Sequence, residues 1–315
     1  MKKVIMPKSG LEVSELCFGT LIQGTLQANL EPKEGAKAIR KALELGVNFI
    51  DTAQKYGSYP HVKEGLKGWK GNVVVASKSF ADTYDDMKEA VEEALREMNI
   101  ERIGIFHMHL IKSKEEFQSR QSALKCLIEM RKEGLVGAIG MSAHSAEGVS
   151  AILDCDDIDV VFPIANMKGF GIVSGTWDNM LYAIKSAKAK GKDIYAMKPL
   201  GGGHFINEIP EAIKFLKELS LFDSISIGMK TPDEVEMNVS IFENGFASEE
   251  ISKKTKSAVK QLIVYDSCKK CGNCEETCDQ GAIKVGKKKA VVDHEKCILC
   301  GYCASSCPVF ALRVI

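Results

Sequence analysis

A (β/α)8 TIM barrel followed by a small cysteine-rich α+β domain is the fold class predicted for this 315-residue chain, on three observations. Eight β-rich runs alternate with stretches of helical period over about 225 residues, the count and order of a barrel. Eight of the eleven cysteines crowd into the last fifty residues, where that alternation has stopped. No G-x-G-x-x-G opens a helix after any strand, and GFGIVSG at 169–175 has the wrong spacing and sits too far along, so a doubly wound sheet is the weaker competitor.

The strand runs are ELCFGT (15–20), VNFIDTA (47–53), NVVVASK (72–78), IGIFHMH (103–109), AIGMSA (138–143), VVFPIAN (160–166), IYAMKPL (194–200) and SISIGM (224–229). Between them lie segments such as EGAKAIRKALELG and DDMKEAVEEALREMN, whose apolar residues recur at three and four. The barrel is assigned to residues 1–245. Residues 246–267 carry an apolar stripe at Ile251, Val259, Leu262 and Ile263 and are expected to form a helical connector, since a flexible linker would be richer in Gly, Pro or Ser. The small domain is assigned to residues 268–315.

Forty-two basic residues balance forty-two acidic ones, so no overall field draws the chain to nucleic acid or an anionic membrane. The opening MKKVIMPKSG is too short in apolar residues for a signal peptide, and no run approaches a membrane span. A cytoplasmic location is expected, where clustered cysteines are metal ligands more often than disulfides.

Those cysteines form an internal repeat offset by 29 residues, Cys268, Cys271, Cys274 and Cys278 mapping onto Cys297, Cys300, Cys303 and Cys307. Gly272 maps onto Gly301, Ala282 onto Ala311, Ile283 onto Leu312 and Val285 onto Val314, so each half reads as a tight loop, a short turn and an apolar strand. Thiolates at C-x2-C-x2-C grip three corners of one cubane, and the cysteine after x3 reaches the other cluster. The expected sets are Cys268, Cys271, Cys274 and Cys307 on one [4Fe-4S] cluster, and Cys297, Cys300, Cys303 and Cys278 on the second. Zinc, the competing metal, is held by four ligands in two separated pairs and has no use for eight in this rhythm. The segment resembles bacterial two-cluster ferredoxins over residues 268 to about 314. One departure is Asp279, which stands where the second half has Pro308. Cys17, Cys126 and Cys155 sit in apolar segments and read as ordinary thiols, and the lysines of KVGKKKA (284–290) mark a solvated hairpin.

In a barrel, chemistry gathers where strands end. The second strand ends in Asp51 with Tyr56 shortly after, the third ends in Lys78 and the fourth in His109, a proton-donating set. A lysine held against a carboxylate favours tyrosinate, while a histidine beside the hydroxyl orients a carbonyl. His107, two residues before His109, shares its face and reads as a core histidine. With SGLEVSELCFGT, GVNFIDTAQKYGS, VVVASK, GMSAHS, KPLGGG and IGMKTPDEVEMNV, the chain resembles the aldo-keto reductase family from about residue 3 to 245. The resemblance implies Tyr56 as general acid, Lys78 and Asp51 as its tuners, and His109 as the group that positions the carbonyl of a small carbonyl or alcohol substrate.

It also implies an NAD(P)H cofactor held by Gly19, Thr20, Ser142, Asn166, Lys198, Leu200, Gly201, Gly228 and Asn238. KPLGGG would permit close backbone approach to phosphate, and Thr231-Pro232-Asp233-Glu234 reads as a capped helix start whose N–H groups could meet a pyrophosphate. Several family positions differ: Ala143 replaces an asparagine, Phe162 a glutamine and Met197 the stacking aromatic. Glu234 falls where a basic residue often pairs with the 2'-phosphate, and a carboxylate there repels phosphate but accepts from a 2'-hydroxyl. Lys230 is a compensating charge, and NAD and flavin stay open beside NADP.

Clusters move one electron and nicotinamide a hydride. The expected function is an NAD(P)H-dependent carbonyl reductase or alcohol dehydrogenase whose clusters exchange electrons with a redox protein partner or serve structure. The alternatives are a ferredoxin-coupled reductase using a flavin, and a non-catalytic electron-transfer subunit.

Overall fold

The structure, a computed structural model, describes residues 1–255, 261–309 and 311–314. A hairpin of β1 (Lys3–Ile5) and β2 (Glu12–Ser14) precedes eight parallel strands: β3 (Leu16–Gly19), β4 (Phe49–Asp51), β5 (Val74–Ser79), β6 (Ile103–Met108), β7 (Val136–Ala143), β8 (Val160–Pro163), β9 (Asp193–Ala196) and β10 (Ser224–Gly228). They pair in sequence order and β10 pairs back onto β3, closing the barrel. All eight expected strands are present, seven of them shorter than the apolar runs that announced them and β7 two residues longer. The seventh run stops at Ala196 because Lys198 takes a left-handed backbone (φ 55°) that turns the chain across the mouth of the barrel.

The long helices around the barrel bury one face each. In Tyr84–Met98 the inward residues are Met87, Ala90, Val91, Ala94 and Met98, spaced by three and four. Thr83 caps its first turn by accepting from the Asp86 N–H, and Asn99 in the left-handed region ends it. Full burial of each large apolar side chain contributes about 1.5–3 kcal/mol, and this stripe secures a helix whose length alone would leave it marginal in water.

The C-terminal module has its own core, in which Leu262, Val264, Ile283, Leu312 and Val314 pack beside cysteines. Two antiparallel pairs build it: β11 (Leu262–Val264) with β14 (Leu312–Val314), and β12 (Ile283–Val285) with β13 (Ala290–Val292), the latter flanking the lysine hairpin. The short helices Asn273–Glu276 and Tyr302–Ser305 follow Gly272 and Gly301, both at positive φ, so the repeat seen in the sequence is a repeat of structure. The connector departs from expectation. Among its described residues it is helical over Glu249–Lys254 alone, Val259 lies outside the described residues, and Leu262 and Ile263 begin a strand of the module. Branched residues at 263 and 264 suit a strand, and β14 supplies the partner that decides the matter.

The module covers the C-terminal ends of the barrel strands. Gln27 Nε2 donates to Leu299 O (2.7 Å), His204 Nε2 lies 3.0 Å from Cys297 O, and Gln280 Nε2 donates to Gly171 O (3.1 Å). At the rim Lys112 Nζ pairs with Asp279 Oδ1 at 2.9 Å, which gives a role to the residue that broke the repeat. Backbones touch where only glycine fits: a Cβ on Gly202 (φ 73°) would lie 2.2 Å from Ile298 O, and one on Gly301 (φ 80°) 2.3 Å from Leu26 O. Thus a close approach expected to serve phosphate at KPLGGG is taken at Gly202 by the module. Gly202→Ala is expected to loosen this docking and speed proteolytic release of the module, with the barrel's far-ultraviolet dichroism retained; an unchanged cleavage rate would contradict it.

Candidate active site and cysteine module

Lys78 and Asp51 form the floor of the site. Lys78 Nζ donates to both Asp51 oxygens (2.8 and 2.7 Å) and to Thr52 O (2.7 Å), which uses all three of its protons. Both side chains are almost wholly buried, so burial pushes the Asp51 carboxyl up and the Lys78 ammonium down, and their attraction opposes each shift. Tyr195, on β9, donates from its hydroxyl to Asp51 Oδ1 (3.0 Å) and meets His107 Nε2 at 2.8 Å. His107 is therefore a core histidine, tied to Asp51 through a tyrosine that sequence reasoning missed. The one signal was the phenol itself, which needs a partner when buried in an apolar run such as IYAMKPL.

Tyr56 follows β4 on a short 3-10 turn, Gln54–Tyr56, and His109 follows β6. Their rings stand edge to face with centroids 6.1 Å apart, and Phe80 stacks on the imidazole at 4.1 Å. Lys78 Nζ lies 4.9 Å from the centre of the Tyr56 ring. The expectation that Lys78 would favour tyrosinate is corrected here. Its protons are committed to Asp51 and Thr52, and burial, then Tyr302 and Asp51, push the Tyr56 phenol well above its ordinary range. Burial also drives His109 well below the usual imidazole range, so it is neutral. Its Nδ1 has no hydrogen-bond partner and its Nε2 lies 3.1 Å from the Tyr302 hydroxyl, an arrangement that suits a proton on Nε2.

A cavity of about 590 Å3 runs from this floor across the barrel mouth. Asp51, Tyr56, Lys78 and His109 line one end, Glu234 and Asn238 the other, and Ile298, Leu299 and Tyr302 of the module roof it. Of the residues expected to hold a dinucleotide, Gly19, Lys198, Leu200, Gly228 and Asn238 line this cavity. Asn238 Oδ1 is buried without a partner while its Nδ2 donates to Glu234 O, so an acceptor is left for a bound donor group. Thr20, Ser142, Asn166 and Gly201 do not line it. Thr20 Oγ1 bonds Asp51 O and Ser58, Ser142 Oγ accepts from the Leu110 N–H, and Asn166 holds the loop to Phe170. Gly201 packs on Phe205 at φ 55°. Phe162 and Met197 line the cavity, whereas Ala143 is buried away from it. The helix start is capped as expected, Thr231 Oγ1 accepting from the Glu234 N–H and Pro232 opening the first turn. The Glu234 carboxylate turns back to accept from the Lys230 N–H.

The eight clustered cysteines carry free thiols. They ring two small cavities: Cys268, Cys271, Cys274 and Cys307 line one, and Cys278, Cys297, Cys300 and Cys303 the other. Among the described residues no three Cys, His, Asp or Glu side chains converge closely enough for a single metal ion. A ring of four thiols around a void is the donor set and shape that a cubane needs. His144, Ile298, Leu299 and Tyr302 line both the second of these cavities and the barrel cavity.

A closed parallel barrel with acid and base groups at its C-terminal mouth, roofed by a cysteine module, defines an oxidoreductase. The profile of the aldo/keto reductase family matches residues 15–212 and that of the 4Fe-4S binding domain residues 290–313, so the chain belongs to the aldo/keto reductase family and carries an iron-sulfur domain after the barrel. It is similar to L-galactose dehydrogenase of Arabidopsis thaliana (24% identity over 214 residues, 64% of this chain and 66% of the relative). It is also similar to methylglyoxal reductase DkgA of Escherichia coli K12 (29% over 153 residues, 48% and 50%). The chain thus spans from about half to just under two thirds of the length of these relatives. Among solved structures, an aldo-keto reductase of Bacillus halodurans superposes with a TM-score of 0.65 at 19% identity, covering 82% of this chain and 98% of its own. A Pseudomonas aeruginosa protein described as an aldo-keto reductase gives 0.66 at 22%, covering 77% and 94%. These two likenesses carry the fold. No helix among the described residues is long and apolar enough to cross a membrane.

Proposed function

We propose that the protein is a nicotinamide-dependent carbonyl reductase or alcohol dehydrogenase in which Tyr56 is the general acid and base and His109 the second donor to the substrate oxygen. The observation that carries this reading is that the Tyr56 and His109 rings stand edge to face, 6.1 Å apart, in one cavity beside the Lys78–Asp51 pair, where one oxygen can meet both. Two donors that meet on one oxygen are what polarises a carbonyl. Lys78 and Asp51 neutralise one another beneath the phenol, and Tyr195 fixes the Asp51 carboxylate. Ile298 and Leu299 give the site an apolar roof.

The cavity volume, the unpartnered Asn238 Oδ1 and the capped helix Pro232–Asn244 fit a dinucleotide along the barrel mouth. The two thiol rings fit two [4Fe-4S] clusters in the crossed sets. Bound there, the nicotinamide supplies a hydride and the clusters single-electron steps. The wall shared by the second thiol ring and the barrel cavity supports electron exchange between them, and favours a flavin as the second reading, because a flavin splits an electron pair. A redox protein partner would take or supply those electrons.

The test is anaerobic turnover of methylglyoxal with NADH or NADPH and of L-galactose with NAD or NADP, the substrates the relatives' names suggest. Oxidation of reduced nucleotide that stops in Tyr56→Phe supports the reading; turnover undiminished in that variant removes it. Glu234 at the cavity edge disfavours a 2'-phosphate. NADH is expected to bind more tightly than NADPH, and Glu234→Arg to tighten NADPH by about tenfold or more through a charge-assisted contact in place of a repulsion. Titration of nucleotide fluorescence measures this, and equal preference in both proteins would contradict it.

A further inference from the structure

A substrate oxygen at this site needs two donors, the Tyr56 hydroxyl and His109 Nε2. In the structure an oxygen of the protein already stands there: the hydroxyl of Tyr302 lies 3.1 Å from His109 Nε2, and Tyr302 packs against Tyr56 in the same cavity. Tyr302 comes from the module, not the barrel. It lies between Cys300 and Cys303, two thiols of the second ring, and opens the helix Tyr302–Ser305. Its loop is clamped to the barrel through Leu299 O on Gln27, Cys297 O on His204 and the tight approach of Gly301 to Leu26. Its ring meets Phe80 and His109 at centroid distances of 6.2 Å each. A phenylalanine would make the same ring contacts, so packing does not call for the hydroxyl.

We propose, resting on the roles given above to Tyr56 and His109, that Tyr302 is a built-in occupant of the substrate-oxygen site, through which the iron-sulfur module holds the barrel closed. A carbonyl or alcohol oxygen reaches the two donors only when this hydroxyl withdraws. The module is then an autoinhibitory cover, and the apparent affinity for substrate is lowered by the fraction of molecules in which the hydroxyl is in place.

The experiment uses the full-length, cluster-replete protein and isobutyramide, an unreactive amide whose carbonyl oxygen can accept from both donors. Tyr302→Phe keeps the ring and removes the competing oxygen. Its dissociation constant for the amide, by calorimetry, is expected to fall about tenfold, the scale of one or two lost hydrogen bonds. KM for methylglyoxal should fall by a similar factor. Gln27→Ala, which frees Leu299 without touching Tyr302, should give a smaller change in the same direction. A gain in Tyr302→Phe that is abolished by adding Tyr56→Phe supports the proposal. A gain that survives the added Tyr56→Phe overturns it together with the role of Tyr56. Unchanged or weaker amide binding in Tyr302→Phe, in a protein whose Tyr56→Phe variant still loses reduction, overturns the cover alone.

Discussion

Tyr56→Phe is expected to lower the rate of carbonyl reduction by about a thousandfold while leaving nucleotide binding near its original strength, because general acid catalysis of this kind contributes about 10²–10⁴-fold. The substitution removes one oxygen and leaves the ring beside Lys78 and His109, so the fold should be unaffected. The pH profile of the unaltered protein gives a second reading of the same group. Reduction needs the protonated phenol, and burial raises Tyr56 above its ordinary range. The alkaline fall in rate should therefore lie above about pH 10, the usual tyrosine value. His109 is depressed, so it stays neutral on going down through about pH 6.5 and adds no acid limb there. An alkaline limb near pH 7 or 8 would assign the proton to another group.

The second large effect concerns iron. About eight irons per chain are expected for two cubanes, and the two thiol rings predict which cysteines share them. Cys271→Ala and Cys307→Ala, both on the first ring, should each leave about four irons, and the double variant should leave the same four. Cys271→Ala combined with Cys303→Ala breaks both rings and should leave none. Iron and acid-labile sulfide analysis reads this directly. If the Cys271 and Cys307 pair instead removed all the iron, each cluster would belong to one contiguous run and the crossing would be wrong.

The barrel was legible because its strands are buried on both faces and so appear as runs of Val, Ile and Phe, closed by polar residues where they reach the mouth. Asp51, Lys78 and His109 stood out for the same reason: each is an ionisable side chain at the end of such a run. The cysteine rhythm needed no structure at all. What stayed hidden depends on partners far away in the chain. Leu262–Val264 has only three residues and is a strand because Leu312–Val314 lies beside it. Thr20, Ser142 and Asn166 sit at family positions, but their polar atoms are taken by other parts of the barrel, Asp51 and Ser58 for Thr20, Leu110 for Ser142 and the loop to Phe170 for Asn166. Tyr302 looks like any residue between two cysteines, and its meaning comes from the docking of one domain on another.

The crossed thiol rings also set an order of events during synthesis. The barrel is complete once β10 and the helix Pro232–Asn244 have emerged, well before either ring can close. One ring waits for Cys303 and the other for Cys307, while β14 must arrive before β11 has a partner. A nascent chain therefore presents a folded barrel with an open mouth to the ribosome's surroundings, and acquires its iron and its roof together only once Cys303, Cys307 and β14 have emerged. Cells starved of iron would accumulate that earlier form, a barrel whose donors face the solvent.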